Sequence, residues 1–376
     1  MATSNHSEPK PSKQTANRAL RVVRIIHQLD KLAIPVEFLR ALTTVGIPYL
    51  NIAFLGLVLN QLQQHATFRP VILLIGGFLL ARYLLQLASN SFAKLAEDHE
   101  TGVNRRLDRA TTEKLLTVSY TTLQDPDMRN QYAGAVEGKT FSGGITSLMK
   151  DGLQDFFSLV IAISFAVATL INLTQATNHA ATWFNDARYP LLIIALLLFP
   201  IIVGGWSVHH NNQIQQKLIR KILPNNRRFT YFSNFTQNMD NHQVIRLYQA
   251  SALVMKNERD SMYHFMDQLR LGYWEIAKFG HWPNVAIALS VIGLYILVGA
   301  KALMGVLAIG SVMIAVGYFQ QLMTTAYEFL QEVGGYINMI DYLQFYADFL
   351  NLPDHDQSGT LPVEKRNDNE FAIEFH

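Results

Sequence analysis

The sequence predicts an all-α membrane protein of six transmembrane helices with long cytosolic helical extensions. Three observations predict it. Six runs are almost free of charge: Ala41–Phe68, Phe156–Asn185, Tyr189–Gln216, Phe279–Ala300 and Ala302–Tyr327 hold no Asp, Glu, Lys or Arg, and Pro70–Ala93 holds only Arg82. Crossing about 30 Å of hydrocarbon takes roughly 20 apolar residues at 1.5 Å each, which places spans at about 41–62, 70–93, 156–173, 189–208, 281–300 and 304–327. Charged residues make up only 16% of the 376, against about 25% in an ordinary soluble chain. Finally, 27 of the 31 Lys and Arg fall on one side of these spans, and the side rich in basic residues is the cytosolic one.

Residues 1–17 form a polar tail with no apolar core, so they are not a secretion signal, and the expectation is a disordered cytosolic segment. Over 18–34, Val22, Ile25, Ile26 and Leu29 recur at helical spacing, while Arg18, Arg21, Arg24, Gln28 and Lys31 take the opposite face. That pattern predicts an amphipathic elbow helix lying in the membrane interface, ended by Pro35. The outer connections are short, at about Gln61–Arg69, Asn172–Arg188 and Ala300–Gly305. The inner ones, Lys94–Asp155 and Ser207–Lys278, are long and rich in helix formers, which predicts spanning helices continued into the cytosol; 25 extra residues would reach about 37 Å.

Composition excludes several functions. With no cysteine the chain has no disulfide, thiolate metal site or cysteine nucleophile, and a net charge of +2 does not suit a nucleic-acid partner. Gly134-Ala-Val-Glu-Gly138-Lys139-Thr140 approaches a phosphate loop but has three residues between its glycines where the motif needs four, and no apolar strand precedes it. Phe141-Ser-Gly-Gly144 follows too closely to be the signature loop of an ATPase. His209-His210 lacks a neighbouring third ligand. No catalytic or metal site is therefore expected in this chain.

The spans carry a few polar residues that could line a path: Asn51, Asn284, Gln320, Gln321 and Thr324, besides Arg82. Intramembrane amides and hydroxyls also serve simply to bond neighbouring helices. Arg82 has two readings, contact with an anionic group or structural pairing and snorkelling. No span has a carboxylate at its middle, which weighs against proton- or sodium-coupled transport.

Local sequence adds a resemblance. Ser119-Tyr-Thr-Thr-Leu-Gln-Asp125-Pro126-Asp127 is similar to the first inner-loop pattern of type 1 ABC exporters, and Asn241-His-Gln-Val-Ile-Arg-Leu-Tyr248 resembles the stretch around their second coupling helix, with the family's Lys-Glu pair replaced. Tyr342–Leu350 followed by Pro353 resembles the link to the ATPase domain, and Phe371-Ala-Ile-Glu-Phe375 its opening strand. The resemblance spans about Arg18 to His376. It implies a membrane domain over 35–350, a linker and first strand of a nucleotide-binding domain over 351–376, and an ATPase either continuing on the same polypeptide or on a separate one. It further implies a bacterial plasma-membrane protein with cytosolic termini, pairing with a second transmembrane half, with ATP and Mg2+ held only by the ATPase domains. Coupling residues would be Asp125, Pro126, Asp127, Met128, Arg129 and Tyr132 in the first contact, and Phe235, His242, Gln243, Ile245, Arg246, Leu247 and Tyr248 in the second. The alternative is a six-span channel or membrane scaffold without a motor, binding a cytosolic partner through its inner loops.

Overall fold

The computed structural model describes residues 13–64, 68–119, 122, 124–126, 128, 132, 144–175, 186 and 188–352. Among them every regular element is helical. In chain order these are α1 (Lys13–Leu29), α2 (Ala33–Gln63) and α3 (Phe68–Thr117). A turn at Gly144–Ser147 and a π-helical stretch at Leu148–Leu153 then lead into α4 (Gln154–Gln175). There follow α5 (Arg188–Gln237), α6 (Met239–Leu247), α7 (Ser251–Gly280), α8 (Trp282–Leu303) and α9 (Ile309–Leu350). Of the tail expected over 1–17, Lys13–Asn17 is instead the first part of α1, and the residues before Lys13, like the expected linker and strand after Leu352, lie outside the described residues.

The helices are longer than a bilayer requires. At 1.5 Å per residue, the 50 residues of α3 and of α5 each extend about 75 Å, so helices that cross the hydrocarbon core run on well past it. Among the described residues five segments are long and apolar enough to cross: α2, α3, Gly144–Gln175, Arg188–Gln215 and Ser251–Leu303. The sixth expected span falls on α9, which does not reach that apolarity because Gln320, Gln321, Thr324 and Thr325 dilute it. This helix also starts later than the sequence suggests. Met304–Ala308 is a turn, with Gly305 at φ +73°, and α9 begins at Ile309; glycine adopts that backbone without the steric cost other residues incur.

The chain divides into two compact units. One gathers the described residues up to Ile34, those of Glu97–Lys150 and those from Gly335 on. Here the amphipathic face of α1 packs on protein rather than on a membrane interface: Val22 and Ile26 are fully buried, with Leu107, Leu343, Tyr346 and Phe349 also in the core. The break after α1 comes at Asp30–Leu32, not at Pro35, which sits in the first turn of α2 where its missing N–H costs nothing. Asp30 makes that turn. One of its oxygens accepts the Leu32 N–H at 3.0 Å, and the other faces His99 Nδ1 at 2.8 Å and Arg106 at 3.3 Å; Arg106 also donates to the Leu29 carbonyl. Burial pushes the Asp30 carboxyl up, but these hydrogen bonds and the His99 and Arg106 charges outweigh it and hold it below its ordinary value.

The second unit comprises Pro35–Ala96 and Asp151–Gly334. Its centre is aromatic: Tyr49 of α2 stacks on Phe165 of α4 at 4.3 Å and meets Tyr318 of α9 edge-on at 4.7 Å. Around them pack Ile161, Ile193, Leu294, Val316 and Phe319, all buried. Glycines bring α2 and α9 into backbone contact. A Cβ added to Gly310 would collide with the Gly56 carbonyl oxygen, and one on Gly56 would collide with the Ile314 side chain. At this crossing α2 also caps α9: Asn60 Oδ1 accepts the Gly310 N–H at 2.8 Å and Gln63 Oε1 the Ile309 N–H at 3.0 Å, satisfying amides that have no partner within their own helix. At the opposite end of the unit, Ser207 donates to the Phe279 carbonyl at 2.7 Å and Tyr327 to that of Gly280 at 3.4 Å, tying α5 and α9 to the end of α7.

Two outcomes are expected. Gly310→Ala forces α2 and α9 apart and lowers stability by about 1–3 kcal/mol, whereas Gly299→Ala, with nothing within 4 Å of its new Cβ, leaves it the same or raises it by up to about 1 kcal/mol, since alanine gives up less backbone freedom in a helix; thermal unfolding in detergent compares the two. Because the Asp30 carboxyl is held low, its contribution is complete above the ordinary carboxylate pKa of about 4 and is lost as pH falls through the lower folded value. A spin label on a cysteine replacing exposed Leu20 should accordingly gain mobility in acid, and Asp30→Asn should give that mobility already at pH 7.

Candidate functional site

Two sets of residues stand out, one at the tip of a helical hairpin and one along the apolar segments. The tip is α6. It is a nine-residue helix between the 50 residues of α5 and the 30 of α7, and both its ends are closed. Asn238 is the N-cap, its side chain accepting the Asp240 N–H at 3.0 Å. Asn241 donates to the Phe235 carbonyl at 3.1 Å, and a protonated His242 Nε2 does the same to Thr236 at 2.7 Å. At the far end the Tyr248 N–H returns to Val244, the Ala250 N–H returns to Ile245 at 2.9 Å, and Gln249 takes φ +49°. These polar groups are committed to holding α6 in place.

The outward surface of α6 carries four large apolar side chains among polar ones. Met239, Leu247 and Tyr248 are about four-fifths exposed, at 83%, 78% and 75%, and Val244 at 51%. Gln243 and Arg246 are exposed as well. Ile245 turns inward, lining a cavity of about 200 Å³ with Thr236, Val254 and Met255, while Phe235 is half-buried at the end of α5 beside Tyr231. A hydrophobic cluster displayed by a rigid, capped helix is the mark of a binding surface.

The first expected contact is only partly within the described residues: Asp127 and Arg129 lie outside them. Asp125 and Pro126 are exposed, following a turn in which the Asp125 N–H donates to the Thr122 carbonyl at 3.2 Å and Ser119 Oγ meets Thr122 Oγ1 at 2.7 Å. Met128 is buried, and the Tyr132 ring lies 5.5 Å from Phe349. These two side chains hold the segment to its own unit, while Gln124, Asp125 and Pro126 are exposed among its described residues.

Along the apolar segments, the polarity of what is exposed separates one helix from the rest. The exposed residues of α5 between Leu191 and Ile202 are Leu, Ile, Ala and Phe, and α8 shows Leu289, Ile292 and Ile296. On α9, the exposed residues between Gly310 and Glu332 are Gln320, Glu328, Gln331 and Glu332 only, with Gln321 and Thr324 half-buried beside them. Its opposite side carries buried Val316, Phe319, Met323 and Ala326. A face like this suits water or a polar protein surface better than lipid tails.

Of the other expected path residues, Arg82 is exposed on α3 and Asn284 is exposed in the first turn of α8. Asn51 is half-buried on α2, and its Oδ1 has no hydrogen-bond partner among the described residues. Among the described residues no hydrogen bond joins these three to the α9 face. Lys301, which the sequence places in an outer loop, is instead fully buried: its ammonium donates to the Leu173 carbonyl in the last turn of α4 and sits 4.8 Å over the Tyr189 ring of α5. The signal was present in the spacing Leu294, Val298, Lys301, which keeps all three on one helix face. His210 stacks on Phe279, His209 faces Gln213, and among the described residues no group of three metal-ligating side chains occurs.

The chain's lack of cysteine makes the water-facing assignment directly measurable. In proteoliposomes, single cysteines replacing Gln320 or Glu328 should react with a charged, membrane-impermeant thiosulfonate, whereas cysteines replacing Ile202 or Ile296 should not; equal reactivity at all four would refute the assignment. No protein-family model matches this chain, and no curated protein matches it either.

Proposed function

We propose that this chain is the membrane half of an ATP-driven exporter with the arrangement of type 1 ABC transporters, seated in a bacterial plasma membrane with its termini in the cytosol. Two such halves would enclose one path, with α9 supplying a sixth span and the water-facing wall. ATPase domains, holding ATP and Mg2+, would receive α6 and the segment beginning at Asp125.

The observation that carries this reading is the combination in α6: a short helix, capped at both ends, at the turn between two helices that reach well past the hydrocarbon. Rigid helices of this length transmit a displacement at one end to the other, and the exposed Met239, Val244, Leu247 and Tyr248 give a partner something apolar to grip. A channel or scaffold without a motor has no evident use for such levers.

The test replaces the contact without touching the spans. In the protein assembled with its ATPase domains, Leu247→Asp together with Val244→Asp should leave ATP binding intact and reduce ATP-driven transport by about tenfold or more, the loss of a few apolar side chains at an interface core being worth at least about 1.4 kcal/mol. Ile245→Asp should also do so, by unseating α6. Unchanged transport in all of them would remove coupling through this helix and favour the motor-less reading.

A further inference from the structure

A polar stripe on α3 has no role in the function proposed above. Arg82, Gln86, Asn90 and Lys94 follow one another at intervals of four residues. All four are exposed, and Gln86 donates to Asn90 at 3.1 Å. The four cover 12 residues, about 18 Å along the helix axis. Arg82 sits at the middle of the charge-free run Pro70–Ala93, and Lys94 stands just past its inner end. Elsewhere on the segment α2 packs against α3, with Thr44 meeting Ser89 and Phe54 stacked on Phe78, whereas the four residues of the stripe are exposed, so no described part of this protomer covers them. Neither cation has a hydrogen-bond or ion-pair partner among the described residues.

A guanidinium at that depth requires a counter-charge or water. Head groups of the surrounding bilayer do not supply one: they begin about 15 Å from the midplane, farther than an extended arginine side chain reaches. A second copy of the chain offers no carboxylate at that depth: its exposed Glu328 and Glu332 stand past the inner end of the sixth run. What remains is water admitted along the stripe, or a molecule that enters from the cytosolic side and brings its own negative charge. The stripe suits that passage, with a cation at the inner boundary, two amides able to donate hydrogen bonds along the way, and a second cation at the midplane.

We propose that Arg82, Gln86, Asn90 and Lys94 form a track for the anionic head group of an amphiphilic cargo, carrying it from the inner boundary to the bilayer midplane while its chain lies along the apolar flanks of α3. The word cargo rests on the exporter reading; the site itself does not. Arginine at the end of the track grips a phosphate or carboxylate through two parallel N–H donors, which lysine does as a point charge only.

The test uses the full chain in phosphatidylcholine nanodiscs, with an environment-sensitive fluorophore on a cysteine replacing Leu79, which is exposed on the same face one turn outward from Arg82. Dodecyl phosphate should bind and shift the emission, with affinity falling by about tenfold or more in Arg82→Ala, the loss of a charge-assisted hydrogen bond. Arg82→Lys, which keeps the charge without the paired donors, should lose less, and Lys94→Gln should lose less as well. Dodecyltrimethylammonium should neither bind nor compete. Equal binding of the two amphiphiles, saturation by inorganic phosphate alone, or an unchanged affinity in Arg82→Ala would each overturn the proposal; if Arg82→Ala does not fold, Arg82→Gln takes its place with the same expected loss. Because no motor is needed here, binding that survives while substitutions in α6 leave transport untouched would sink the exporter reading and keep the track; the converse would do the opposite.

Discussion

Five of the described segments are apolar and long enough to cross a bilayer, and in hydrocarbon a backbone finds no hydrogen-bond partner but its own chain, a constraint that would account for the rest of the structure. Each apolar segment must satisfy its amides internally, so among the described residues every one is a helix. Helix ends are where this fails, because the first amides and last carbonyls have no intrahelical partner. At two such places the chain answers with a side chain from another helix. Asn60 and Gln63 of α2 take the first amides of α9, and Lys301 of α8 takes a carbonyl in the last turn of α4. Polar residues that would look out of place in an apolar sequence are therefore located by the backbone groups they serve.

The same solvent explains how the helices meet. Apolar side chains gain little from leaving lipid for protein, so close contact has to come from shape. Gly56, Gly310 and Gly317 let α2 and α9 approach until backbone touches backbone and Ile52 or Ile314 fills the gap. The Tyr49, Phe165 and Tyr318 cluster supplies the complementary device, broad rings with a defined angle between them. With α9 thus fixed on one side, its other side is left to carry Gln320, Glu328, Gln331 and Glu332.

Much of the fold was legible in the sequence. Charge-free runs locate helices because a single charge in hydrocarbon is costly, and the inner segments read as helical continuations because little in them breaks a helix. What could not be read were features set by partners distant in sequence. The turn between α1 and α2 belongs to Asp30 because His99 and Arg106 come to it, while Pro35, the louder local signal, is accommodated inside a helix. The amphipathic pattern of α1 fits an interface and a protein groove equally well; only the burial of Val22 and Ile26 decides between them. Of the candidate site, the polar residues of α9 were visible individually, but their shared exposure depends on which side of the helix the aromatic cluster occupies. The tip at α6 was legible by resemblance, and its caps at Asn238 and His242 were not.

The buried Lys301 also constrains how the molecule can be made. Its ammonium is tolerable at that place only when the Leu173 carbonyl and the Tyr189 ring already stand there, since alone it would face apolar surroundings with nothing to accept its protons. A ribosome delivers the chain from its N-terminus, so Leu173 and Tyr189 both emerge about a hundred residues or more before Lys301 does, and the receptor is synthesised ahead of the charge it receives. A rearrangement that moved α8 to the front of the sequence would reverse that order, delivering the charge before the carbonyl and the ring that receive it.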